Sequence, residues 1–166
     1  IVLNTEFIVY FSRLFIGFTT FYLLLSFTSQ AGEILYGTYS GIILSLGVEL
    51  NKVILRHLMF VILEFLQFIP FYFVIIFLSG IEITFLTFLF IPGLILVFLN
   101  GYWMIFIFST LCARFRDLGL FITAIMSAST LLTPILWEKE RLGRFENLVY
   151  LNPFTSMVEA VRDPLI

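Results

Sequence analysis

Of the chain's 166 residues, 61% are hydrophobic and only 12% charged, with 22 phenylalanines spread from end to end and a mean hydropathy of +1.10. A water-soluble domain of this size has no interior large enough for so much apolar surface, and unbroken apolar runs in place of period-2 alternation select membrane helices over a barrel. The formal charge of −2 says little about partners, no basic block points to nucleic acid, and the lone Cys112 and lone His57 exclude a disulfide framework and a Cys/His metal cluster.

The chain opens on Ile1 with no basic segment ahead of a cleavage site, so it reads as a fragment without a signal peptide. Residues 7–28 are apolar apart from Arg13 and have the length of one crossing. From Ser29 to Asn51 the character changes: Gly32, Gly37, Gly41 and Gly47, with Glu33 and Glu49, predict a helix end, a bend and an interfacial segment. Residues 55–78 form the second predicted span, carrying Glu64, Gln67 and Pro70, and Ser79 to Glu82 is a turn short enough to force an antiparallel return. The third span, 83–112, is long enough to tilt or bend, and Pro92-Gly93 predicts a kink near its start. Arg114, Arg116 and Asp117 end it, and 118–136 is the fourth span.

Beyond it, Trp137 to Asn147 is the most charged stretch, with Glu138, Lys139, Glu140, Arg141, Arg144 and Glu146, and it reads as a solvated loop. The last segment mixes apolar residues with Asn152-Pro153, Glu159, Arg162 and Pro164, which predicts an interfacial or re-entrant helix. The expected fold is therefore an all-α polytopic bundle of about four spans plus interfacial helices, in a single membrane domain. Alternation places Lys52, Arg56, Arg114 and Arg116 on one face, and Arg13, Glu82 and the charged loop on the other. Basic residues are too evenly shared for the positive-inside rule to orient the molecule.

Neither lysine stands in a phosphate-cradling loop, since Lys52 follows Asn51 and Lys139 lies between glutamates; ATP is not hydrolysed here by that route. No nucleophile and base stand together, so nothing in the residues points to catalysis. In the second span His57, Glu64 and Gln67 recur at seven and three residues, along one helical stripe. Glu64 and Asn100 lie at nearly equal distances from the Ile81 turn, hence at similar depth, and a hydrogen bond between them is expected. That pair reads either as glue between helices or as the lining of a substrate or proton path. The elbow Arg114-Phe115-Arg116-Asp117 reads either as a lipid-phosphate anchor or as a docking surface for a soluble partner that pushes on two helices at once.

The order Ala113-Arg114-Phe115-Arg116-Asp117-Leu118, then Thr133-Pro134-Ile135-Leu136-Trp137, then Leu151-Asn152-Pro153-Phe154, then Glu159-Ala160-Val161-Arg162-Asp163-Pro164-Leu165 resembles the ABC-2 type permeases that export O-antigen, capsule and teichoic-acid polysaccharides. The resemblance implies a homodimer in the prokaryotic plasma (inner) membrane, with separate ATP-binding subunits holding ATP and Mg on the cytoplasmic side and no cofactor in this chain. It implies that the elbow, with Glu49 and Lys52, couples to those subunits, and that residues 137–166, with Asn152, Pro153, Glu159 and Arg162, form an external gate. The cargo implied is a lipid-linked glycan, on whose sugar faces Tyr102, Trp103 and Trp137 could stack, although such rings suit the lipid interface equally. Members of the family usually have an amphipathic interfacial helix and another span before this start and a closing span after Pro164-Leu165, so truncation at both ends is expected, and Val48-Glu49-Leu50-Asn51-Lys52 has one base and no proline where members often carry a basic run with a Phe-Pro step. Three other classes stay open: an ABC-2 exporter of a small lipid or drug, a membrane carrier or enzyme built on Glu64, and a purely structural anchor.

Overall fold

The computed structural model describes residues 5–35, 37, 41, 47–80, 83–137, 139, 143, 147 and 149–166. Every regular element among them is helical: α1 (Thr5–Ser29), α2 (Ala31–Ile34), α3 (Leu50–Leu66), α4 (Ile69–Ser79), a 3-10 turn (Phe85–Leu89) leading into α5 (Phe90–Arg114), α6 (Leu118–Leu132), α7 (Pro153–Arg162) and a closing 3-10 turn (Asp163–Leu165). Three stretches are long and apolar enough to cross a bilayer, Phe7–Ser29, Leu50–Ser79 and Phe85–Arg114, and α6 is a shorter apolar helix. Together they make a helical membrane bundle.

Prolines set several boundaries. Within the second stretch the helix breaks at Gln67 and Phe68, because Pro70 has no N–H to offer the preceding turn and falls in the first turn of α4, where none is needed. Pro92 likewise sits in the first turn of α5, so the change of direction expected at Pro92-Gly93 falls two residues earlier, where the 3-10 turn meets the α-helix. The fourth helix stops at Leu132 instead of reaching Leu136: Pro134 forces Thr133 into an extended conformation (ψ 134°). Gly80 ends α4 with φ +64°, a left-handed cap that glycine adopts without strain.

In lipid, helix association gains little from apolar burial, and close packing with occasional polar ties carries it. An aromatic chain runs through the bundle: Phe27 of α1 meets Phe98 of α5 edge-on at 6.3 Å, Phe98 meets Phe65 of α3 at 6.1 Å, Phe65 meets Tyr72 of α4 at 6.0 Å, and Tyr72 meets Phe15 of α1 at 5.9 Å. Two glycines let backbones approach where a Cβ would collide, Gly93 against the Ala160 carbonyl and Gly101 against the Phe27 ring. Hydroxyls bond back to their own helix, as Thr20 does on the Ile16 carbonyl (2.8 Å), or across helices, as Thr19 does with the Tyr72 hydroxyl (2.6 Å), while the buried Thr155 Oγ1 has no partner among the described residues. Phe77, Phe85 and Leu120 face outward, as lipid-bathed residues do.

The contacts define two ends. Tyr10 Oη donates to the Leu136 carbonyl at 3.3 Å, Ser12 meets Ser79, and Gly93 meets Ala160, so the start of α1, the end of α4, the start of α5, Leu136 and α7 share one end. Helix alternation carries the close of α1, the start of α3 and the Arg114–Asp117 elbow to the other. Helix α7 does not lie on the outside. It packs against α1 and α5 and buries Thr155, Val158, Val161 and Arg162 among them.

Candidate gate and coupling sites

The end of the bundle that holds α7 is organised by one buried arginine. Arg162, at the last turn of α7, donates through Nη1 to the Pro134 carbonyl (2.8 Å) and through Nε to Asp163 Oδ1 (3.1 Å), with Nη2 3.9 Å from Glu159 Oε1. Its aliphatic stem lies beside Gly17 of α1. Glu159 also receives Lys139 Nζ at 2.8 Å, and Lys139 reaches the Tyr150 hydroxyl at 2.7 Å. The Glu159 carboxylate, and then the Tyr150 hydroxyl, raise the Lys139 pKa well above its ordinary value, so the ammonium stays charged. A buried guanidinium is costly unless its donors are matched, and here each nitrogen faces an oxygen.

Asn152 joins this network to α6. Its Oδ1 accepts from the Phe154 amide (3.1 Å), capping α7 with Pro153 in the first turn, while its Nδ2 donates to Thr133 Oγ1 (2.9 Å). Trp137 Nε1 donates to the Leu131 carbonyl at 3.0 Å, which folds the indole back over the end of α6. A cavity of about 240 Å³ remains, lined by Arg13, Pro134, Trp137, Lys139, Arg162, Asp163 and Ile166. The structure thus brings together Trp137, Asn152, Pro153, Glu159 and Arg162, and adds Arg13, Thr133, Lys139, Tyr150 and Asp163. Sequence reading met Arg13 and Lys139 only as charges and Thr133 and Asp163 only as members of longer motifs, and it passed over Tyr150. Glu82, Glu138, Glu140, Arg141, Arg144 and Glu146 lie outside the described residues.

At the opposite end Arg114 closes α5, its guanidinium 5.7 Å from the centre of the Phe115 ring, and Arg116 and Asp117 complete an exposed turn before α6. Glu49 starts α3 and forms an ion pair at 3.6 Å with Lys52, both well exposed; at that exposure the pair adds little stability. This surface is polar and accessible on two successive helix ends.

The middle of the bundle departs from expectation in two ways. Asn100 does not reach Glu64: it is exposed, and its amide donates to the Leu96 carbonyl of its own helix at 2.9 Å. Nor do His57, Glu64 and Gln67 share one environment, being buried, half-buried and exposed in turn. Over ten residues an α-helix rotates its stripe by about 80°, enough to carry Gln67 out of the interface. The buried oxygen Oε2 of Glu64 and the buried Nε2 of His57 have no hydrogen-bond partner within the described residues. Tyr102 and Trp103 stand edge-on to one another at 6.2 Å, with Trp103 63% exposed on the outer face of α5.

The family model of ABC-2 type transporters matches residues 2–166, nearly the whole chain. The chain belongs to the ABC-2 type transporter membrane family. It is therefore a multi-pass membrane component of an ABC transporter, a permease domain whose family implies a separate ATP-binding partner. No curated protein and no solved structure matches it.

Proposed function

We propose that this ABC-2 permease subunit moves a lipid-linked polysaccharide outward across a prokaryotic plasma (inner) membrane, as one of two identical copies driven by a separate ATPase. The observation that carries the reading is the convergence of three quoted motifs, Thr133 to Trp137, Asn152-Pro153 and Glu159 to Leu165, in one hydrogen-bonded network at the end of the bundle opposite the Arg114–Asp117 elbow. A short helix tucked between membrane helices and tied by polar bonds suits a gate, since such bonds exchange for water when the helix moves. The elbow, with Glu49 and Lys52, takes the ATPase, and Trp103 and Asn100 on the open face of α5, with Tyr102 and Trp137, border the path shared with the second copy. Rings that present flat faces and hydrogen-bond donors fit sugar rings. An exporter of a small lipid or drug is the second reading, favoured by the apolar groove between α4 and the 85–91 segment.

The test is affinity purification of the full-length permease from its native membrane. A stoichiometric ATPase that is lost in the Arg114→Glu, Arg116→Glu double variant, together with lipid-linked glycan accumulating on the cytoplasmic side when the permease is depleted, is the expected result. ATPase association that survives the double variant would remove the elbow from the coupling surface. Normal glycan export in depleted cells would pass the case to the small-cargo reading.

A further inference from the structure

Helix α4 is a strut of 11 residues with a backbone break at each end. At its start the hydrogen bonds close over three residues instead of four: the Gln67 amide donates to the Glu64 carbonyl (3.3 Å), Phe68 to Phe65 (2.9 Å) and Phe71 to Phe68 (3.0 Å). Pro70 has no N–H for the Leu66 carbonyl. At its end Gly80 stands at φ +64°. Neither junction carries the continuous ladder that would lock the strut against rolling about its own axis.

The two flanks of α4 differ. Toward α1 it is held by Phe15, whose ring meets those of Phe71 and Tyr72, and by two hydroxyl pairs, Ser12 with Ser79 and Thr19 with Tyr72 (2.6 Å). Toward residues 83–91 lies a groove of about 920 Å³, which Tyr72 also borders. Apolar contact is worth little against lipid, so the hydroxyl pairs decide how firmly the strut is held. Three of these four hydroxyls have a carbonyl of their own helix within reach: Ile8 for Ser12 (2.8 Å), Ile75 for Ser79 (2.6 Å) and Phe15 for Thr19 (2.8 Å). Parting Ser12 from Ser79 therefore strands no proton. The Tyr72 hydroxyl, at the far end of its ring, cannot reach its own backbone and depends on α1.

We propose that Tyr72 is a latch with two positions. In the position seen it holds Thr19; in the other, α4 rolls, the ring enters the groove, and its hydroxyl bonds to Thr87 on the opposite wall. Thr87 and Tyr72 are the two hydroxyl residues among the described residues of the groove lining, so the proton leaves one acceptor for another and is never stranded in lipid. Leu165 lines the same groove three residues beyond Arg162, so the roll bears on the turn that closes the gate network. The motion belongs to this chain and needs no particular cargo.

The experiment is electron–electron double resonance on the full-length protein in lipid nanodiscs, with Cys112→Ser and spin labels at the exposed positions Phe77 of α4 and Leu99 of α5. One distance should dominate in the otherwise unaltered protein. Thr19→Val should raise the share of a second distance about fivefold, the worth of one lost hydrogen bond. Adding Thr87→Val, which removes the receiving hydroxyl, or Pro70→Ala, which restores the missing amide, should suppress that second distance. Should Thr19→Val fail to fold, Tyr72→Phe opens the latch from the other side, and its second distance should ignore Thr87→Val. A single distance in Thr19→Val and Tyr72→Phe alike overturns the proposal. So does a second distance in Thr19→Val that Thr87→Val leaves unchanged, which would mark loose packing without an exchange of partners.

Discussion

Arg162 meets three elements at once, and its replacement isolates what a buried charge contributes. Arg162→Met keeps much of the stem but strands the Pro134 carbonyl and leaves Glu159 and Asp163 without their guanidinium. The expected loss is about 3 kcal/mol of stability, read as a fall in melting temperature in detergent. Arg162→Lys recovers only part of it, because a point ammonium cannot serve the Pro134 carbonyl and Asp163 together. Asn152 offers a cleaner separation of two bonds. Asn152→Asp keeps the cap on α7 and loses the donor to Thr133, whereas Asn152→Ala loses both, and the cap alone accounts for about 1 kcal/mol. Thermal melts that rank the two variants equally would show that the Thr133 bond matters and the cap does not. Lys139 sets a pH window. Its folded pKa is raised, so its contribution is whole below the unfolded value of about 10.4 and fades only as pH climbs through the folded one. Trp137 fluorescence should accordingly hold steady from neutrality to about pH 10.

Among the elements, α1, α5 and α7 depend on small residues at their crossings. Gly93→Ala drives a methyl into the Ala160 backbone, which has no side chain to yield, so α7 must shift; the expected cost is about 2 kcal/mol. Gly101→Ala meets the Phe27 ring instead, and a shortened partner can relieve it. The double variant Gly101→Ala, Phe27→Leu should therefore be more stable than Gly101→Ala alone, a coupling that a thermodynamic cycle of melting curves reads directly. Additive losses would mean that the ring had room to turn aside. Helix α7, expected as an interfacial or re-entrant helix, shows how one-sided burial arises in a short segment. Val158 and Val161 with the arginine stem form a face that α1 and α5 cover.

For the whole molecule, the pairing of ends is the property most open to test. With the buried Cys112 replaced, single cysteines at Lys52 and Arg116 should react with a membrane-impermeant reagent from one side, and a cysteine at Asp163 from the other. Labelling of Lys52 and Arg116 from opposite faces would contradict the order of helices. The positive-inside rule leaves orientation open because arginines and lysines stand at both ends. Here the tail's cations are partly internal: Lys139 and Arg162 serve Glu159, Tyr150 and Pro134, which is a packing role that a count of loop charges cannot distinguish.

Composition and the apolar runs were sufficient for the helical membrane class, because lipid leaves the backbone no other way to satisfy its own hydrogen bonds. The turn at Gly80 was legible, but the expected spans ran through Pro70 and Pro134, where proline acts through the backbone next to it to break or end a helix. Side-chain partners were another matter. Glu64 and Asn100 share a depth but not a facing direction, and depth was all that residue counting could supply. Only the tertiary structure brought Arg13, Lys139 and Arg162 around one cavity from α1, the charged loop and α7, for the azimuth of each helix is decided by packing against all its neighbours together.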